Sequence, residues 1–551
     1  MLNKDILLIQ PPIEDFYLTK KRTLPYGLCI IAGSLKAKGF NVEIFDALAT
    51  NKTKIIEWPE EFEYLYSFYG KPDSSAFSLF HDYKHFGFSF EHIGKIVREK
   101  NPFLIGISSL FTAYFDSVIK TAKAIKKFLP NSKIVIGGHH PTQLPEAVME
   151  CPQIDYVLRG EGELSMPSLA DALKYNTSFD KVPGIVFRKH DKSLHISQPA
   201  WLKDLTGLPL PSLDLVKQKF YQRNGKGAAI VVSSRGCPMK CSYCAVSASS
   251  CYAPFRQRKV EDVIKELESQ VEIFDIGFID FEDENLCLKK AWFLSLMGEI
   301  QERFPDRNFE LRAMNGLFPS SIDEDIIKAM KSVGFKTLNL SLGSTSKQQL
   351  EKFCRKDVRK SFENALDLAK KYNLQSVSYI IAAAPGQAPE QSVNDLLYLA
   401  AKPTLVGLSV FYPAPGSMDY QNCQDKNLLP KSFSLMRSTA LPIVDTCSRI
   451  QSVTLLRLSR ILNFMKALKN EKVSLPDPEE CCQKEIDKGM DRKQSGILLL
   501  SWFLHDGVIR GVDKRGQVYE HACDLILTKR FVDGIKILEI KGTCIWQAVT
   551  S

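Results

Sequence analysis

The sequence predicts an α/β protein of two consecutive parallel-sheet units, the second a six-strand partial barrel, followed by a C-terminal cap region. Three observations lead there. Short apolar runs alternate with helix-spaced segments over the first 170 residues. The alternation halts in a turn-rich connector around Gly207 to Ser212, restarts at Ala228 and continues to about Tyr412. At 551 residues the chain exceeds what one hydrophobic core supports, so two or three domains are required. The reading divides it into residues 1–170, a connector 171–222, a barrel 223–421 and a cap region 422–551 whose role the sequence leaves open.

In the first unit Ile6-Leu7-Leu8-Ile9 reads as a buried strand, with Gln10-Pro11-Pro12 as its exit loop. Apolar positions from Leu28 to Leu35 recur at helical spacing, Gly39 stops that helix, and Val42-Glu43-Ile44-Phe45-Asp46 is the next strand. Strands over 104–109 and 133–138 flank a helix over 115–128, and Asp155-Tyr156-Val157-Leu158 is a last short strand. Polar or glycine-rich residues stand just past the carboxyl ends of these strands, where open α/β sheets bind ligands. The aromatic-rich residues 51–86 break the pattern and read as an insertion packed against another part of the chain. In the second unit, strands over 229–233, 276–281, 309–313, 337–342, 376–383 and 405–411 alternate with helices, which places chemistry at their carboxyl ends. Beyond about Asn422 there are two helix-like segments and a hairpin over 508–519, with Gly511 and Gly516 as its turn residues.

Composition narrows the function. With 44% apolar and 25% charged residues the chain is globular. Its net charge of +9 comes from scattered Lys and Arg, a solvated surface rather than a nucleic-acid face. No nucleic-acid partner is expected, nor a transmembrane segment, since no run approaches the ~18 uninterrupted apolar residues of a spanning helix. Met1 leads into a strand without a basic, signal-like start, so a cytoplasmic location is expected. Fourteen Cys in such a chain read as reduced thiols, some of them metal ligands.

The chemistry-bearing motif is Arg235-Gly236-Cys237-Pro238-Met239-Lys240-Cys241-Ser242-Tyr243-Cys244, just after the first barrel strand. Three thiolates on one loop can converge on one [4Fe-4S] cluster and leave its fourth iron without a protein ligand. A structural zinc site needs four closed ligands, and Cys251 is the only near competitor. With an aromatic before its last Cys, this motif resembles that of the radical SAM superfamily. The resemblance implies that Cys237, Cys241 and Cys244 hold the cluster, that its open iron chelates S-adenosylmethionine, and that reduction releases a 5′-deoxyadenosyl radical. It also implies a reductant protein of flavodoxin or ferredoxin type. Other landmarks follow strand by strand: Tyr243 is placed at the cofactor, and Glu282 and Asp283 are similar to residues that position the methionine amino group. Ser344 stands where many relatives have a ribose-holding Glu, and Pro385 belongs to a Pro-Gly turn similar to one that packs near the adenine.

Upstream, Gly137-Gly138-His139-His140-Pro141-Thr142 and Gly160-Glu161-Gly162-Glu163 resemble the Rossmann-like cobalamin-binding domain that precedes the barrel in one branch of the superfamily. A glycine pair at a strand end lets backbone approach a bulky ligand, and Ser108 or Thr142 supplies a hydroxyl for a buried base. Glu161 is carried over with its loop. The chain lacks the Asp-x-His-x-x-Gly pattern that offers His to cobalt, so His139 and His140 read as loop structure. Together the two resemblances span about residues 5–420. They imply a cobalamin-dependent radical SAM enzyme that methylates an unactivated carbon of a small molecule, lipid or peptide. A cyclase or rearrangement enzyme without methyl transfer is the alternative, and an iron-sulfur or cobalamin sensor the non-enzyme one. tRNA methylthiolation would need a second cysteine trio in front, where only Cys29 and Cys151 occur.

Overall fold

The computed structural model describes residues 5–17, 24–246, 254–479, 486 and 489–540, so Cys251 lies outside the described residues. The apolar run at the start becomes β1 (Ile6–Gln10) because neither of its faces meets water. It pairs in parallel with β2 (Val42–Asp46) and β3 (Leu104–Ser108), and the sheet continues through β4 (Lys133–Gly137) and β5 (Tyr156–Leu158). Leu8, Leu104 and Val135 face one core with α1 (Tyr26–Ala37) and a helix at Gly162–Lys174, whereas Leu7, Ile105 and Ile134 face a second core with helices at Phe90–Lys100 and Phe115–Phe128. Burial on both faces explains why these strands are apolar throughout rather than alternating. Gly39, at φ +83°, ends the turn that follows α1.

The front sheet does not stop at residue 170. β6 (Ile185–Arg188) and β7 (Leu194–Ile196) add to it antiparallel, giving the order β7-β6-β5-β4-β3-β1-β2. Part of the expected connector is therefore sheet; these strands are only four and three residues long, too short to stand out as apolar runs. Strand order reverses between β1 and β3, and that reversal opens a crevice at the carboxyl ends.

The aromatic insertion leaves the front domain. Its three-stranded sheet (Ile13–Asp15, Lys84–Phe86, Thr53–Ile55) carries Phe16, whose ring meets those of Trp58, Phe62, Tyr69 and Tyr83 at centroid distances of 4.8 to 5.9 Å. It packs against the cap helix Arg449–Asn470: Phe77 meets Phe464 at 5.8 Å, and the buried Arg457 donates to the carbonyls of Phe77 and Phe68.

The barrel strands are β8 (Lys226–Val231), β9 (Ile276–Phe281), β10 (Glu310–Ala313), β11 (Thr337–Gly343), β12 (Gln375–Ala382) and β13 (Leu405–Val410). They form two parallel sheets, β8-β9-β10 and β11-β12-β13, joined by isolated bridges Leu311–Phe335 and Leu317–Leu340. Leu338, Leu340 and Leu342 pack into the core that also holds the helix residues Ile327 and Phe362; the alternate positions Asn339 and Ser341 face the lumen. There Arg312 pairs with Asp280 at 2.7 Å, and the Tyr379 hydroxyl donates to Asn339 at 3.1 Å. The cap holds more helix than expected, with Arg492–Asp506 and Leu525–Ile540 in addition to Arg449–Asn470. In its hairpin Gly516 is the turn residue at φ +86°, whereas Gly511 sits within a strand opposite Tyr519. No described helix is long and apolar enough to cross a membrane.

Candidate functional site

The motif loop leaves β8 and is tied down on three sides. The Ser242 amide donates to the Phe353 carbonyl at 3.1 Å, its hydroxyl donates to Asp419 at 2.8 Å, and its carbonyl accepts from the Asp419 amide at 2.9 Å. Ser234–Arg235 pairs antiparallel with Arg256–Gln257 beside it. Burial pushes the Cys237 and Cys241 thiols up, and the neighbouring cysteines raise Cys237 further. Among the described residues no trio of acidic, His or Cys side chains is drawn to metal-shell distance. Cys237 and Cys244 are partly accessible and Cys241 is buried, and three soft thiolates on one loop are the donor type that an iron-sulfur cluster uses.

Three carboxylates follow β9, in different surroundings. Asp283 is 2% exposed and accepts from the Ser233 amide and hydroxyl and the Ser234 hydroxyl at 2.5–3.2 Å, so it pins the strand end to the base of the cysteine loop. Glu284, which the sequence analysis did not single out, lines the cavity described below: its buried Oε2 has no partner among the described residues, and burial pushes its carboxyl up to about 7. The acidic run Glu282-Asp283-Glu284 was the available signal. Glu282 is half-buried, with its carboxyl raised by burial and by Asp280. Ser344 follows Gly343, at φ +82°, and is fully buried, its hydroxyl donating to Asp395 at 2.8 Å. Pro385 stays half-buried at the end of β12, next to Gly386, whose amide donates to Asp445.

In front, Ser108, Gly137, Gly138, Thr142 and Gly160 line a cavity of about 340 Å³ at the strand carboxyl ends, with an apolar floor that includes Leu8, Gly106 and Met166. Gly138 has φ +125° and ψ −171°, and a Cβ there would lie 2.4 Å from the Ser109 carbonyl. Gly160, at φ +88°, would bring a Cβ within 2.1 Å of the Ala200 carbonyl. Thr142 fixes this cradle by donating to the Gly138 carbonyl at 2.7 Å and accepting from the Gly160 amide at 2.9 Å. Its proton is thus engaged, and Ser108 is the expected hydroxyl that faces the cavity. A glycine-lined mouth over an apolar floor fits a large planar cofactor with a buried tail. Gly138→Ala is expected to lose about 1–3 kcal/mol and most corrin binding while iron content is kept; unchanged corrin retention after gel filtration would count against the cradle.

Glu161 lines the cavity and stands where the front loop meets the cysteine loop. Its carboxylate is held by both terminal nitrogens of Arg256 at 2.9 Å, by the Leu202 amide at 2.7 Å and by Arg235 at 3.3 Å, and Arg235 also pairs with Glu163. It clamps the front loop to the residues flanking the cysteine motif. The same cavity is walled on the barrel side by Val232, Arg235, Gly236 and Glu284, so it reaches from the front-domain glycines to the start of the cysteine loop.

His139 lines that cavity. His140 lies not in a loop but in the short helix His139–Gln143, packed inside: it is 1% exposed, its ring lies 4.3 Å from Phe115 and 5.1 Å from Phe433, and burial pushes its imidazole down to about 4. Because the fold prefers the neutral ring, the associated stability is complete above the ordinary 6.5 and is lost as pH falls through about 4, roughly 3 kcal/mol in all. His140→Leu should flatten the fall in Tm across that window; a curve parallel to the wild type would show that another group titrates.

Comparison with known proteins places two domain models on the two sheet units. The B12 binding domain model matches residues 78–170 and the Radical SAM superfamily model matches residues 231–397. An uncharacterized methyltransferase of Pyrococcus horikoshii is 28% identical over 83% of this chain and 90% of its own. The anaerobic magnesium-protoporphyrin IX monomethyl ester cyclase of Synechocystis is 27% identical over 50% of this chain and 54% of its own. A radical S-adenosylmethionine methyltransferase of Kitasatospora setae, solved with cobalamin and a [4Fe-4S] cluster bound, shares the fold at a TM-score of 0.60 and 16% identity, covering 85% of this chain and 95% of the other. The chain thus carries a B12 binding domain match ahead of a Radical SAM superfamily match, in the order and over the regions that the fold places as front sheet and barrel.

Proposed function

We propose that this protein methylates an unactivated carbon of an organic substrate. The observation that carries the reading is the shared cavity, in which Gly137, Gly138 and Gly160 of the front domain face Arg235, Gly236 and Glu284 of the cysteine loop and second barrel strand. When bound, the cluster with S-adenosylmethionine supplies a 5′-deoxyadenosyl radical for hydrogen abstraction, and cobalamin supplies the methyl carrier. The chain's own contribution is placement. Cys237, Cys241 and Cys244 each hold one iron, and Ser242 keeps their loop anchored at Asp419 and Phe353. Glu284, with an unpartnered oxygen, and Glu282 are the carboxylates available to the methionine ammonium. The glycine cradle admits the corrin edge, while the Glu161–Arg256 and Glu163–Arg235 pairs hold the two halves of the cavity in register. Methyl transfer to a carbon radical requires a substrate carbon within reach of both cofactors, and residues of the cavity wall from both domains would hold it there. The electron comes from a flavodoxin- or ferredoxin-type reductant, and the substrate is a small molecule, lipid or peptide.

Similarity to the cyclase favours a second reading, in which the same cofactors close or rearrange a ring without methyl transfer. Isotope labelling separates them. Reduced, loaded enzyme given methyl-deuterated S-adenosylmethionine and a metabolite extract of its source cells should yield a product carrying the labelled methyl group. Consumption of a metabolite with 5′-deoxyadenosine formed and no label transferred would replace methylation by the second reading.

A further inference from the structure

Arg355 is a buried cation without a carboxylate. Its residue exposure is 9%, and its hydrogen bonds go to neutral groups: the Tyr243 hydroxyl at 2.6 Å, and the Ser341 hydroxyl and carbonyl at 3.0 and 2.9 Å. Among the described residues its Nε has no partner at all. A lone charge taken out of water is among the least favourable things a fold can hold, and it persists where a counter-charge arrives. The ionisable groups within electrostatic reach of this guanidinium are the Tyr243 phenol, held neutral by burial, and the thiols of Cys241 and Cys237, which acquire negative charge only as cluster ligands. Gly343 packs beside it, and a Cβ there would meet three atoms of the Arg355 side chain at 3.7 Å, an ordinary contact distance. The site is thus shaped to hold a fixed positive charge under the cysteine loop, and Tyr243 links that charge to the residue preceding Cys244.

We propose that Arg355 is the counter-cation of the iron-sulfur cluster, raising its reduction potential by offsetting the charge of the thiolate-bound cube. The inference rests on the cluster assignment and goes beyond it by naming what sets the potential. The step concerned is one-electron reduction by a flavodoxin- or ferredoxin-class donor. One electron is added, no bond is made or broken, and the added negative charge is what the guanidinium stabilises. Cluster potentials respond to net charge and hydrogen bonding around the sulfurs, so a cation at this position favours the reduced form. Arg355 acts through the cluster and is therefore a positioning and tuning residue.

The test is a redox titration of anaerobically reconstituted full-length protein, followed by the electron paramagnetic resonance signal of the reduced cluster. The wild type is compared with Arg355→Met and Arg355→Lys. Arg355→Met should lower the ratio of reduced to oxidised cluster at least tenfold at a given solution potential, about 59 mV for one electron. Arg355→Lys, which keeps the charge, should stay within threefold of the wild type. An unshifted potential in Arg355→Met, or an equal shift in both variants, overturns the proposal. If the Met variant takes up no iron while the Lys variant loads normally, the requirement for charge is supported; if neither loads, Arg355 is an element of the fold and the proposal fails. A wild-type protein that binds no iron would instead overturn the cluster assignment, a result distinct from any of these.

Discussion

Replacing Cys237, Cys241 or Cys244 by Ser takes 5′-deoxyadenosine formation to the detection limit and leaves the fold in place. Ser is nearly isosteric, and Cys237 and Cys244 are only half-buried, so the apo-protein keeps its Tm within a degree or two. What is lost is a soft thiolate, without which one iron has no protein ligand. Cys354→Ser is the matched control, because Cys354 is exposed and lies outside the motif. Iron content and visible absorbance after reconstitution give the result directly. Full iron loading in any one of the three motif variants would remove that residue from the ligand set.

Arg235→Gln is expected to give the largest stability loss among the polar residues of the site. The Arg235 side chain is 20% exposed, Glu161 10% and Glu163 6%, and Arg235 pairs with both carboxylates. Removing it leaves Glu163 buried without its cation, whereas Glu161 keeps Arg256. Breaking such a pair by deleting one partner costs about 3–5 kcal/mol, so Tm should fall by several degrees. Because the pair joins the front loop to the residue preceding Gly236-Cys237, corrin retention should fall in the same variant. Arg235→Lys should recover part of both properties. A variant that loses corrin with unchanged Tm would place Arg235 at the ligand rather than at the clamp.

The parts of this architecture that were legible in the sequence are those with a short physical period. The parallel strands at 6–10, 104–108 and 133–137 announced themselves because burial on both faces demands unbroken apolar runs. The cysteine loop was legible because thiolates at that spacing have few other uses in a chain of reduced cysteines. β6 and β7 were not, since a short edge hairpin such as Leu194-His195-Ile196 carries no apolar signature. Long-range polar geometry escaped altogether. Nothing local distinguishes Asp283, which binds Ser233 and Ser234 at its back, from Glu284, which faces the cavity. Glu161 looked like a ligand-loop residue, and only the approach of Arg256, 95 positions away, shows it to be a clamp. Arg355 sits in an unremarkable Cys354-Arg355-Lys356 stretch, and its role follows from what is missing around it in space.

An iron-sulfur cluster and a corrin on either side of one cavity are the centre of the proposed function, and stoichiometry tests that most directly. Protein reconstituted without oxygen in the presence of iron, sulfide and hydroxocobalamin, then desalted, should carry one [4Fe-4S] cluster and one corrin per chain. Iron without corrin would contradict the shared cavity, and corrin without iron would contradict the cysteine site.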